Sequence, residues 1–131
     1  MRRAALALVF LVAASCGTVD DRLFCGLSIP NGGAVSEREL AAFLDEVVVP
    51  RFPDGFTVYR AGGHYNDAQR GPATESSVVI EIVHARGARE ERLVREIAGE
   101  YRRRFHQQAV LRVRAAASMQ VITAPRAAAA P

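Results

Sequence analysis

Ser77–His84 reads SVVIEIVH, and Ala88–Phe105 follows almost at once as AREERLVREIAGEYRRRF. In the first stretch Val78, Ile80 and Ile82 alternate with Val79, Glu81 and Val83. That period of two is a strand. In the second, Leu93, Ile97, Tyr101 and Phe105 recur every four residues, with Glu90, Glu91, Arg95, Glu96, Glu100 and Arg102–Arg104 on the other faces. That period is an amphipathic helix. A strand feeding a helix fixes the centre of the fold, and the flanks supply the rest.

Downstream, Val110–Arg114 predicts a strand with Leu111 and Val113 inward. Upstream, Phe56–Ala61 predicts another, joined to the central one by a polar, glycine-punctuated loop from Gly62 to Thr74. Pro53-Asp54-Gly55 before it is a turn, since proline presets φ and glycine accepts the unusual one. Ser36 and Glu39 form a capping box, and Leu40, Phe43, Leu44 and Val47 then fall on one helix face. That helix stops before Pro50. Arg22–Ser28 predicts the first strand, with Leu23, Cys25 and Leu27 on one face, closed by Pro30-Asn31-Gly32-Gly33.

The order β-α-β-β-α-β predicts an α+β, ferredoxin-like βαββαβ sandwich: a four-stranded antiparallel sheet with two helices on one face. The other face is then open. It is expected to carry Phe24, Val79, Glu81, Val83, Val110, Arg112 and Arg114. So apolar a centre asks for a cover, and a homodimer through this face is one candidate.

The amino terminus carries an address. Arg2 and Arg3 precede an apolar run from Ala4 to Ala14, and small residues Ala13-Ala14-Ser15 precede Cys16. This is a signal peptide over residues 1–15, too short to span a bilayer. Cys16 is the expected lipidation site of a lipobox, with Ala13 where leucine is usual. Export across the inner membrane and a lipid anchor on the periplasmic side of the cell envelope follow. The alternative is ordinary cleavage and a soluble periplasmic or extracellular protein. Residues 16–21 then read as a tether, 22–116 as a single domain, and 117–131 as an alanine- and proline-rich disordered tail. Met119–Ile122 is a candidate short strand within that tail.

The formal net charge is +3, of which Arg2 and Arg3 supply two, leaving +1 on the mature chain. That balance excludes a nucleic-acid binder on electrostatic grounds. With Cys16 lipidated, Cys25 is a lone thiol in an apolar strand and reads as a small buried hydrophobe. The three histidines, His64, His84 and His106, share no helix face, so neither a metal nor another cofactor is expected. No phosphate loop, nucleophile elbow or HExxH motif is present.

The polar segment from Gly62 to Glu75 is the best place for a site, because loops on a rigid scaffold hold binding groups. Pro50, Pro53 and Gly55 mark a shaped corner. Arg51 stands near Asp54, within reach of a local ion pair. If the hairpin folds back, Arg51, Asp54, Tyr65 and Glu75 converge there as a ligand site or as a structural corner.

The runs FCGLS (Phe24–Ser28) and PRFPDGFTV (Pro50–Val58) resemble a family of small bacterial secreted proteins, the one catalogued as domain of unknown function 3574. Gly63, Tyr65, Asp67, Glu75–Val78, Tyr101, Phe105 and Val110–Val113 continue the likeness. The chain departs from it at Cys25, where an aromatic is expected, and at Tyr65, where tryptophan is. The resemblance implies a signal peptide and assigns no activity. The reading from sequence is a non-catalytic envelope module that binds through its open face. The alternative is a small-molecule enzyme of the dimeric α/β-barrel type, with a pocket near Tyr65 and Glu75.

Overall fold

The computed structural model describes residues 17–124. The expected signal peptide and Cys16 lie outside the described residues. Strand β1 (Thr18–Gly26) leads to helix α1 (Glu37–Phe43), then β2 (Thr57–Asp67), β3 (Gly71–Ala85), helix α2 (Ala88–Arg104) and β4 (Leu111–Ala117). The sheet order is β2-β3-β1-β4, with every neighbouring pair antiparallel. This is the ferredoxin-like sandwich that the element order predicts.

Local chemistry explains each helix. Ser36 Oγ accepts from the Glu39 amide, and the Glu39 carboxylate accepts from the Ser36 amide, so two orphan donors of α1 are satisfied. Beyond Phe43 the helix widens into a π-type turn over Leu44–Val48, closed by the Val49 amide on the Leu44 carbonyl at 2.9 Å. The extra residue lets Val47 and Val48 both turn inward, and Val48 is fully buried. On α2, Val94, Ile97 and Tyr101 face the sheet, and His106 takes a left-handed φ of 53° just past the helix.

The core lies between the helices and one sheet face. Leu23, Cys25, Val78, Ile80 and Ile82 meet Leu40, Phe43, Val48, Ile97 and Phe105. Phe43, Tyr101 and Phe105 form an aromatic cluster with centroids 4.8–5.9 Å apart. The Tyr101 hydroxyl donates to the Gly26 carbonyl at 2.8 Å, which ties α2 to the end of β1. No described helix is long and apolar enough to cross a membrane.

Three expectations need correction. First, strand β1 begins at Thr18, so residues 18–21 are sheet and not tether; Thr18–Asp21 pair with β3 on one side and β4 on the other. Asp21 is completely buried there, beneath charged partners. Second, the segment from Gly62 to Thr74 is mostly strand: β2 and β3 run on as a long hairpin arm, and only residues 68–70 turn. Asp67 Oδ1 shapes that turn by accepting from the Gln69 and Arg70 amides at 2.9 and 2.8 Å. Third, β4 sits with the opposite face inward. Arg112 pairs in register with Leu23 and lies on the helix side, whereas Leu111 and Val113 oppose Phe24 and Arg22 on the open face. Residues 118–124 form neither strand nor helix.

Candidate functional site

The charged cluster that sets the register of β4 is structural. Arg112 grips Asp21 through Nε and Nη2 at 2.7 and 2.9 Å, and Glu91 through Nη1 and Nη2 at 2.7 and 2.8 Å. Arg114 adds an ion pair to Glu91, and Arg95 another at 2.8 Å. His84 Nε2 stands 2.8 Å from Asp21 Oδ2 and Nδ1 2.7 Å from the Ala85 carbonyl. Burial pushes the Asp21 carboxyl up, but hydrogen bonds from Arg112 and His84 outweigh it and hold the group below its ordinary value. Hydrogen bonds from Arg112 and Arg95 hold Glu91 well below the usual carboxylate range. Every group here is occupied by a neighbour, which leaves nothing to offer a ligand.

The four corner residues separate. Arg51 and Asp54 lie at one end of the sheet, beside a cavity of about 330 Å³ lined also by Phe52, His84 and Arg89. Tyr65 and Glu75 lie at the other end, in a cleft of about 640 Å³. Glu75 and Val83 stand eight positions apart on β3, roughly 26 Å of extended chain. Nor does Arg51 pair with Asp54. Its Nε donates to Glu96 at 3.2 Å and its Nη1 to the Val47 carbonyl at 2.8 Å, so it bolts the corner to α2. The Arg51–Asp54 half of the motif is therefore a joint.

The Glu75 end has the chemistry of a site. Glu75 is half-buried on the open face of β3, opposite Gly63 of β2. Its carboxylate leans over Gly26 of β1, where a Cβ would collide with it and would lie 2.9 Å from Gln107 Oε1. The bare backbone of Gly26 thus makes room for two side-chain oxygens. Gln107 is fixed by its Nε2, which donates to the Ser28 carbonyl at 2.8 Å and the Phe105 carbonyl at 3.1 Å. Two clefts meet at this point, one toward Tyr65, Arg70 and Asn31, the other of about 300 Å³ toward Phe24, Ser77 and Leu111.

Glu75 also stands apart electrostatically. Glu37, Glu46, Glu81, Glu90, Glu91, Glu96 and Glu100 each meet an arginine, and Glu39 is held by the Ser36 cap. Among the described residues, no arginine and no hydrogen-bond donor reaches the Glu75 carboxylate. Asp45 and Asp54 likewise meet no arginine, but of these three acids only Glu75 lies in the clefts lined by Tyr65 and Gln107.

Of the other expected site residues, Phe24, Val79, Glu81 and Val83 do lie on the open face; Arg112 does not. His64 is exposed on β2. Cys25 is buried, and burial pushes its thiol up to about 12. Among the described residues no three His, Cys, Asp or Glu side chains gather to hold a metal ion. Sequence reading missed Gly26 and Gln107. A glycine inside a strand pattern is a signal of close approach; Gln107 carried none.

Two solved structures share the fold. A phage SAM lyase in complex with S-methyl-5'-thioadenosine aligns with a TM-score of 0.58 at 19% identity, over 87% of this chain and 95% of that one. The phage SAM lyase in its apo state aligns with a TM-score of 0.54 at 20% identity, over 76% and 81%. No curated protein matches the sequence. A family model does match, across residues 20–121. The chain belongs to the family described as proteins of unknown function, DUF3574.

Proposed function

We propose that this protein binds a small organic molecule of nucleoside size, carrying a cationic group, in the cleft between Glu75, Gln107 and Tyr65. The observation that carries this reading is the Glu75 carboxylate, half-buried above Gly26 with no partner of its own among the described residues. An unpaired anion in a concave site attracts a complementary charge. Tyr65, half-exposed at the mouth, offers an aromatic face for stacking against a base. The shared fold supports the ligand class, since one protein of this fold is seen with a nucleoside thioether.

The address at Met1–Cys16 extends this reading: we propose that the domain works in the cell envelope, held by lipid on Cys16. Intact mass of the purified protein tests that anchor: cleavage before Cys16 removes residues 1–15 and diacylation adds the mass of the lipid, whereas a mass without lipid contradicts it.

The ligand reading is tested by titrating the protein with SAM and with S-methyl-5'-thioadenosine. SAM carries a sulfonium charge and the thioether does not, so SAM is expected to bind at least tenfold more tightly, and to shift the amide resonances of Gly26, Glu75 and Gln107. Equal affinity for the two, or resonance shifts confined to the Arg51–Asp54 end, overturns the assignment of Glu75 as the charge-recognising group.

A further inference from the structure

The open sheet face is more apolar than its sequence promised. Phe24, Tyr59, Val83, Leu111 and Val113 lie on it around a fully buried Val79, and Leu111 is 62% exposed. Near its middle stand Asp20 and Arg22, successive open-face residues of β1. Arg22 donates to Asp20 Oδ2 from Nε and Nη2 at 3.0 and 2.7 Å, and lies 3.3 Å from Glu81. Asp20 Oδ1 is buried and has no hydrogen-bond partner among the described residues. Among the same residues, Nη1 of Arg22 is unused as well.

We infer that a second copy of this chain covers the open face, paired about a two-fold axis, with Arg22 of each copy donating to Asp20 of the other. The charge pattern selects this occupant. A two-fold interface must be self-complementary, so that residue i meets j while j meets i. An unused donor, Nη1 of Arg22, and the Asp20 carboxylate two residues away on the same strand meet that condition, the partner's Arg22 adding to the Oδ2 that Arg22 already holds within its own chain. The nearly balanced charge of Asp20, Arg22 and Glu81 gives no attraction to an acidic surface or to a polyanion. The size also fits. Four strands about 4.8 Å apart and about eight residues long give a flat footprint near 500 Å², and side-chain relief raises it toward the 600 Å² or more per copy of specific interfaces. Phe24 and Leu111 on this face also wall the cleft at Glu75, so the second copy would border the proposed ligand site; the test below reads mass and not ligand, so its failure is distinguishable from failure of the ligand reading.

Sedimentation equilibrium of the purified protein tests it, with circular dichroism confirming the fold of each variant. Wild type is expected at twice the chain mass, and Leu111→Glu, an exposed site on the face, at the single mass. Asp20→Arg and Arg22→Asp are each expected to be monomeric alone. Mixed together they are expected to pair, because the two guanidinium groups of one variant then face the two carboxylates of the other. Loss of the internal Asp20–Arg22 contact would not be repaired by mixing. A wild-type monomer at 0.1 mM, a mass other than twice the chain, pairing that survives Leu111→Glu, or failure of the mixture to associate overturns the inference.

Discussion

Arg112 closes a two-pronged contact on Asp21, Nε to Oδ1 at 2.7 Å and Nη2 to Oδ2 at 2.9 Å, across 91 residues of sequence. The pair welds β4 to β1 on the helix side and decides which face of β4 looks inward. Arg112→Ala leaves the fully buried Asp21 carboxylate with only His84 and the longer Arg114 contact, so a loss of about 3 kcal/mol, the low end for a broken buried pair, is expected. Urea unfolding measures it. The double variant Asp21→Asn with Arg112→Met is expected to lose less than the single one, because it leaves no buried charge unpaired.

The same cluster sets the response to acid. Asp21 and Glu91 both sit below their ordinary values of 3.8 and 4.5 when the protein is folded. Below those values the unfolded chain therefore binds more protons than the folded one. Stability from this cluster is full above about pH 4.5, declines as pH falls through 4.5 and 3.8, and is gone once the folded carboxyls protonate. Melting temperatures recorded from pH 7 to pH 2 are expected to fall less steeply for Glu91→Gln than for wild type.

Cys25 is expected to be inert while the protein is folded. Its thiol is fully buried and raised to about 12, so almost no thiolate exists at pH 8. Iodoacetamide at pH 8 is expected to leave the Cys25 peptide unmodified in native protein and to alkylate it in 6 M guanidinium. Labelling at equal rates in both states contradicts the buried placement.

Much of the fold is legible in the sequence because its periods are clean. Val78, Ile80 and Ile82 alternate, Leu93 to Phe105 recur by fours, and the Ser36–Glu39 box marks the start of α1. What escaped was decided by long-range charge. Leu111 and Val113 alternate with Arg112 and Arg114, and apolar-inward is the ordinary reading of such a strand. The acids Asp21 and Glu91 reverse it, and their position opposite β4 is a property of the assembled sheet. The site was half legible. Tyr65 and Glu75 were found in the polar segment, but the extended hairpin carries them away from Arg51 and Asp54. The neighbours that complete the cleft, Gly26 and Gln107, come from elements distant in sequence.

Gly26→Ala separates folding from binding. The added methyl meets the free end of Glu75 and, at 2.9 Å, the amide oxygen of the hydrogen-bonded Gln107, so the fold is expected to survive with a cost of about 1–2 kcal/mol. Displacing the Glu75 carboxylate is expected to weaken SAM binding at least tenfold. Thermal unfolding and titration of the same sample give both numbers.

The central claim is that the unpaired Glu75 carboxylate recognises a cationic ligand, and calorimetric titration of SAM into wild type and Glu75→Gln tests it most directly. Glutamine keeps the shape and removes the charge. The account predicts that the variant keeps its melting temperature and binds SAM at least tenfold more weakly, a difference of about 1.4 kcal/mol. Equal affinity of the two proteins, or no binding of SAM to the wild type, would contradict it.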